Sequence, residues 1–117
     1  MKESVQEYIE TILSKNMVDI LDIPGKMDKY KNEVITVLDM MINYFRDIMI
    51  SKEHVDKSMI INADKLLFIQ NMSNKITYSQ VSKIIDIIED TKIKIKGNCN
   101  FNVSIQVMSL NIYEVIK

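Results

Sequence analysis

The sequence contains one cysteine, one proline and two glycines in 117 residues, and each scarcity closes a class of protein. A lone Cys99 forms no internal disulfide and does not by itself supply a structural zinc site. Phosphate cradles of the P-loop and dinucleotide type cluster several glycines in one loop, whereas Gly25 and Gly97 stand far apart, so neither motif is present. An all-β chain of this length needs a turn every ~8 to 12 residues, and the turn formers are missing. Fifteen basic against sixteen acidic side chains leave a formal net charge of -1. That balance argues against a dedicated nucleic-acid binder, which carries a marked basic excess. No apolar run approaches the ~18 residues of a membrane span, and Met1-Lys2-Glu3-Ser4 lacks the apolar stretch of a secretion signal. A soluble intracellular domain is therefore expected.

What is present is ordinary for a globular chain: 47% hydrophobic and 26% charged residues, enough to bury roughly two-thirds of the unfolded surface without a staple. Residues 1–117 read as one compact unit. Abundant isoleucine and valine lean toward strands, while scarce glycine and proline lean toward long helices, so periodicity has to decide. Ser4-x-x-Glu7 has capping-box spacing ahead of Val5, Tyr8, Ile9, Ile12 and Leu13, which predicts a first helix over about 3–15. Met17, Ile20 and Leu21 extend it by a turn or two, and Asp22-Ile23-Pro24-Gly25 reads as a break.

The strongest stripe follows. Tyr30, Val34, Val37, Leu38, Met41, Tyr44, Phe45, Ile48 and Met49 share one side of a helical wheel, with Arg46 and Asp47 off it. This predicts a spine helix over about 27–53. Residues 54–62 read as a connection, and Asn62 as the cap of a helix over 63–74 that buries Leu66, Leu67, Ile69 and Met72. Thr77-x-x-Gln80 is a second capping box, opening a helix with Val81, Ile84, Ile85, Ile88, Thr91 and Ile95 inward and Lys83, Asp86, Glu89, Asp90 and Lys94 outward. Gly97 reads as its C-cap, and Asn100 as the N-cap of a last helix over 101–116. The expected fold class is all-α, a compact bundle of about five to six helices.

That last helix is apolar on two sides. Phe101, Ile105, Met108, Ile112 and Val115 form one stripe, and Val103, Val107 and Leu110 form another. One small core does not satisfy both faces of a surface helix, so either the helix lies deep inside the domain or one stripe meets a partner chain. Catalytic constellations are absent by contrast. His54 sits in a charged connection with no partner implied by spacing, and Cys99 has neither a second cysteine nor a neighbouring histidine. Asp86 and Asp90 lie one turn apart but among lysines, which reads as solvated ion pairing. Most of the nine methionines fall on core stripes, as Met41, Met49, Met72 and Met108 do, rather than forming a promiscuous groove. No catalytic residue, cofactor, metal or small-molecule ligand is expected.

Three segments go further. Tyr44-Phe45-Arg46-Asp47-Ile48-Met49-Ile50, then Ile60-Ile61-Asn62-Ala63-Asp64, then Asn98-Cys99-Asn100-Phe101-Asn102 running into Ile105-x-Val107-Met108-x-Leu110, in this order and spacing, resemble the C-terminal domain of the delta-prime subunit of the bacterial DNA polymerase III clamp loader. Val107 and Ser109 depart from the leucines of that pattern. The resemblance implies an all-helical collar domain that holds its subunit in a pentameric ring. It also implies contacts to delta on one side and gamma or tau on the other, DNA touched only through the assembly, and a place in the bacterial cytoplasm.

That family also has a nucleotide-fold domain, a zinc module and a lid domain, so the chain is expected to be a C-terminal fragment without catalysis of its own. Under this resemblance Val103, Val107 and Leu110 are the expected subunit interface. Arg46, Asp47, Asn62 and Asp64 are expected to pin the spine helix to the turn that follows it. Two rival readings of the same features are a free-standing helical adaptor that binds one peptide helix and a DNA-contacting bundle with salt-sensitive binding.

Overall fold

The computed structural model describes residues 1–53 and 59–117; the surface reading of His54, and the connection through Asp56, Lys57 and Ser58, fall outside the described residues. Among the described residues there is no strand, and the chain runs through α1 (Lys2–Leu13), α2 (Met17–Leu21), α3 (Ile23–Met27), α4 (Val34–Lys52), α5 (Leu66–Ser73), α6 (Tyr78–Lys96) and α7 (Phe101–Ile116). Short 3-10 segments, Asp28–Glu33 and Ala63–Lys65, precede α4 and α5.

The N-terminal third departs most from the expectation. The Ser4 capping box does not form, because the helix already begins at Lys2 with Met1 in the N-cap position. A cap residue must stand outside the helix; Ser4 stands inside, and its Oγ instead meets the Tyr30 hydroxyl at 2.8 Å. The helix ends at Leu13, where Lys15 takes a left-handed φ of 62°. Asn16 then caps α2 by accepting the Asp19 N–H at 3.0 Å.

The expected break at Pro24 is a helix. Pro24 lies in the first turn of α3, where its missing N–H has no intrahelical partner to lose. Ile23, Pro24 and Met27 are thereby buried. The spine is shorter than 27–53: Tyr30 leaves helical geometry at φ -107°, ψ 19°, and α4 starts only at Val34. From there the stripe behaves as its period predicts. Val34, Val37, Leu38, Met41, Tyr44, Phe45 and Ile48 are buried, each large side chain contributing about 1.5–3 kcal/mol.

Before α5, Asn62 makes no side-chain cap; the chain enters through the 3-10 turn instead. Ile69 and Met72 are buried, but Leu67 is 77% exposed, against expectation. The later helices follow the pattern closely. Thr77 Oγ1 accepts the Gln80 N–H at 3.1 Å and Gln80 Oε1 accepts the Thr77 N–H at 3.0 Å. The alternating Lys92–Lys96 tail is helical.

The left-handed residue that ends α6 is Asn98, at φ 67°, while Gly97 keeps φ -84°. Cys99 N–H to Lys94 O and Asn98 N–H to Ile95 O together make a Schellman ending, with asparagine tolerating the conformation in place of glycine. Asn100 Oδ1 accepts the Val103 N–H at 3.0 Å and starts α7.

Helix α4 packs against α1, α5 and α6, and α7 packs against α6 and the α1–α3 group. The two groups share one continuous core, from Ile9 and Met27 through Phe45 and Ile88 to Ile105 and Ile116. Buried Ser104 and Ser109 keep the inner face of α7 narrow, and the Ser109 hydroxyl is satisfied by donating to the Ile105 carbonyl at 2.9 Å.

Candidate protein-interaction surface

The inward face of α7 carries Phe101, Ile105, Met108 and Ile112, all buried, while Val115 is half-buried. Its outward face carries Val103, Val107 and Leu110, which are 57%, 40% and 49% exposed. This follows from the 3.6-residue period: 103, 107 and 110 lie together on one side of the helix, interleaved with the exposed amides Asn102, Gln106 and Asn111.

The outward aliphatics do not stand alone. Leu110 shares a cleft of about 220 Å³ with Leu21, Pro24 and Gln106. Val103 and Val107 line a groove of about 390 Å³ against Ile87 of α6. An aliphatic strip thus crosses three helices, from Leu21 on α2 over α7 to Ile87 on α6. From the sequence, Leu21 reads as part of an apolar cluster with Met17 and Ile20, but its place beside Leu110 depends on the turn through Pro24.

Of the four residues expected to pin the spine, the structure brings two together. Asp47 is fully buried. Its Oδ1 accepts the Ile61 N–H at 2.7 Å, and its Oδ2 accepts the Asn62 N–H at 2.9 Å and the Asn62 Nδ2 amide at 2.8 Å. A buried carboxylate is tolerated when its oxygens are met in this way.

Arg46 does not join the cluster. One turn geometry sends Asp47 inward and its neighbour out, so Arg46 is 54% exposed and faces Glu89 of α6 at 3.7 Å. Asp64 is exposed and takes no part in the bonds to Asp47. Burial, with the Asp64 and Asp47 charges adding to it, pushes the Tyr44 hydroxyl above its ordinary pKa.

Two ties were not legible in the sequence. Lys52 Nζ donates to the Ser73 carbonyl at 2.5 Å, joining the ends of α4 and α5. Lys92 reaches from α6 to Asp39 of α4, and hydrogen bonding to that carboxylate leads the upward push on its ammonium. Lys residues at such distances in sequence carry no periodic signal of their partner.

The remaining chemistry-bearing residues stay apart. Cys99 is exposed and free. Asp90 pairs with Lys94 at 2.9 Å on the outer face of α6, while Asp86 beside it is exposed. Among the described residues, no group of three or more His, Cys, Asp or Glu is placed to hold a metal ion, and no helix is long and apolar enough to cross a membrane.

Fold and surface define an all-α bundle whose distinctive exterior feature is aliphatic. The model of the family described as DNA polymerase III, delta subunit, C terminal, matches residues 3–112, and the chain belongs to that family. Its partners accordingly lie within the clamp-loader assembly of the replicative polymerase. The match is to the delta subunit, so the narrower delta-prime assignment drawn from the three sequence segments goes beyond it. Neither the curated proteins nor the solved structures contain a significant match to the chain.

Proposed function

We propose that this chain is the collar domain of the clamp-loader delta-prime subunit, holding its subunit in the pentameric ring that loads the sliding clamp on primed DNA. The observation that carries the reading is the uncovered aliphatic face of α7 in a chain of this family. Monomeric domains seldom leave contiguous aliphatic surface in water without a partner for it. Covering Val103, Val107 and Leu110 contributes about 1 kcal/mol each, the kind of increment from which a ring contact is assembled. The role is one of association, with chemistry supplied by other subunits.

Delta-prime is preferred to delta on the three segments around Tyr44–Ile50, Ile60–Asp64 and Asn98–Leu110. In that role the subunit has a neighbour on each side, delta on one and gamma or tau on the other. Two further exposed aliphatics, Ile61 in the turn after α4 and Leu67 on α5, are 55% and 77% exposed, and their place off α7 suits two-sided contact. The Asp47 bonds to Ile61 and Asn62 then hold the turn that presents Ile61.

The test is the mass in solution, by light scattering, of the protein carrying this chain mixed with full-length delta and gamma or tau from the same organism. A stable complex containing all of them is the expected result. A protein that displaces delta from the complex instead of joining it would be the delta subunit itself. One that remains separate from every subunit would contradict the reading.

A further inference from the structure

The groove between α6 and α7 is charged on one wall only. Its α6 wall carries Asp86 and Asp90 one turn apart, with Ile87 and Lys94, and its α7 wall carries Val103 and Val107 with the uncharged Ser104 and Asn111. The charge of Asp90 is shared with Lys94 at 2.9 Å, whereas no ion pair engages Asp86 among the described residues. From Asn102 to Glu114 the α7 sequence contains no lysine or arginine.

From this we infer that the groove receives an aliphatic helix of a neighbouring clamp-loader subunit, one whose flank carries lysine or arginine opposite Asp86 and Asp90. The inference rests on the collar reading and adds the chemistry of the partner. An aliphatic pair spaced i, i+4 on the incoming helix matches Val103 and Val107, which have that spacing themselves. A cation beside that pair satisfies the acidic wall, and a polar uncharged residue suits the amide wall. A second copy of this chain is a poorer occupant: its own exposed α7 face brings aliphatics to the groove but no cation to the acidic wall. Complementary charge at the rim of an apolar contact chiefly sets partner choice and association rate.

The experiment uses the reconstituted clamp loader with the protein carrying Asp86→Lys or Val107→Asp, both positions being exposed, with helicity checked by circular dichroism. Asp86→Lys is expected to slow association by about tenfold at low salt and to flatten its salt dependence, while Val107→Asp removes the complex. Cys99 lies on the same groove and is the only thiol of the chain, so a benzophenone maleimide attached there reports what enters. The expected adduct is a helical segment of another subunit with Lys or Arg beside paired aliphatics.

An adduct to a second copy of this chain overturns the inference. So does an association rate that Asp86→Lys leaves unchanged while Val107→Asp still destroys the complex; the collar reading would survive that result. If neither substitution alters assembly, the groove is not an interface and the collar reading fails at this face as well.

Discussion

The two long outer faces of the bundle, one on α6 and one on α7, meet the same solvent with opposite compositions. The outward side of α6 carries Lys83, Asp86, Asp90 and Lys94, with Ile93 the one large aliphatic left exposed. The outward side of α7 carries Val103, Val107 and Leu110 among amides, with Glu114 its only charged residue. Both helices are about equally well anchored: α6 by a complete capping box, α7 by Asn100, and the two by Gln80 Nε2 donating to the Val115 carbonyl at 3.3 Å. The difference is therefore not one of folding. A helix needs an inner apolar stripe to pack and a polar exterior to stay soluble; α7 supplies the first and only half of the second, and on the other half rests the proposed subunit contact.

Substitutions on the two sides of α7 sharpen this contrast. The largest expected effect is at the fully buried Ile105, where Ile105→Ala should cost about 2–5 kcal/mol in chemical denaturation. A loss below about 1 kcal/mol would mean that the inner stripe is not the packed one. Next comes Asp47→Ala, which strands the N–H groups of Ile61 and Asn62 away from their acceptor and should cost about 3 kcal/mol. Arg46→Gln, one residue away but on the outside, removes a long ion pair between half-exposed side chains and should lower stability by less than about 1 kcal/mol. A loss as large as that at Asp47 would return Arg46 to the pinning role suggested by the sequence. Smallest is Val107→Asp, whose effect on the melting of the isolated chain should stay within about 0.5 kcal/mol.

The pattern of what the sequence revealed follows the same physics. Helices α6 and α7 were legible to within a residue or two because local signals agreed: Thr77 and Gln80 cap one end, Asn100 caps the other helix, and the apolar period runs unbroken between them. The region from Asp22 to Glu33 was not legible, because proline is compatible with both a break and a first helical turn. Tertiary contact decided it, burying Ile23 and Met27.

Gly97 is the C-cap of α6, as its position predicted, but it does not take the left-handed conformation. Glycine is the commonest left-handed cap, but asparagine next to it serves the same geometry, and the chain used Asn98. Asp47 lay off the apolar stripe and turned out to be buried, since a wheel records hydrophobicity and not hydrogen bonding to a turn fourteen residues on. The face of α7 that points outward was chosen by the serines at 104 and 109, whose small size lets the inner side close up. Nothing in the stripe of Val103, Val107 and Leu110 itself distinguished it from core.

The most direct test of the outward face is the mass of the mixture of clamp-loader subunits when this protein carries Val107→Asp, measured beside the melting curve of the same variant. The account predicts native melting and loss of the mixed complex. A Val107→Asp protein that melts normally and still enters the complex at full strength would contradict it.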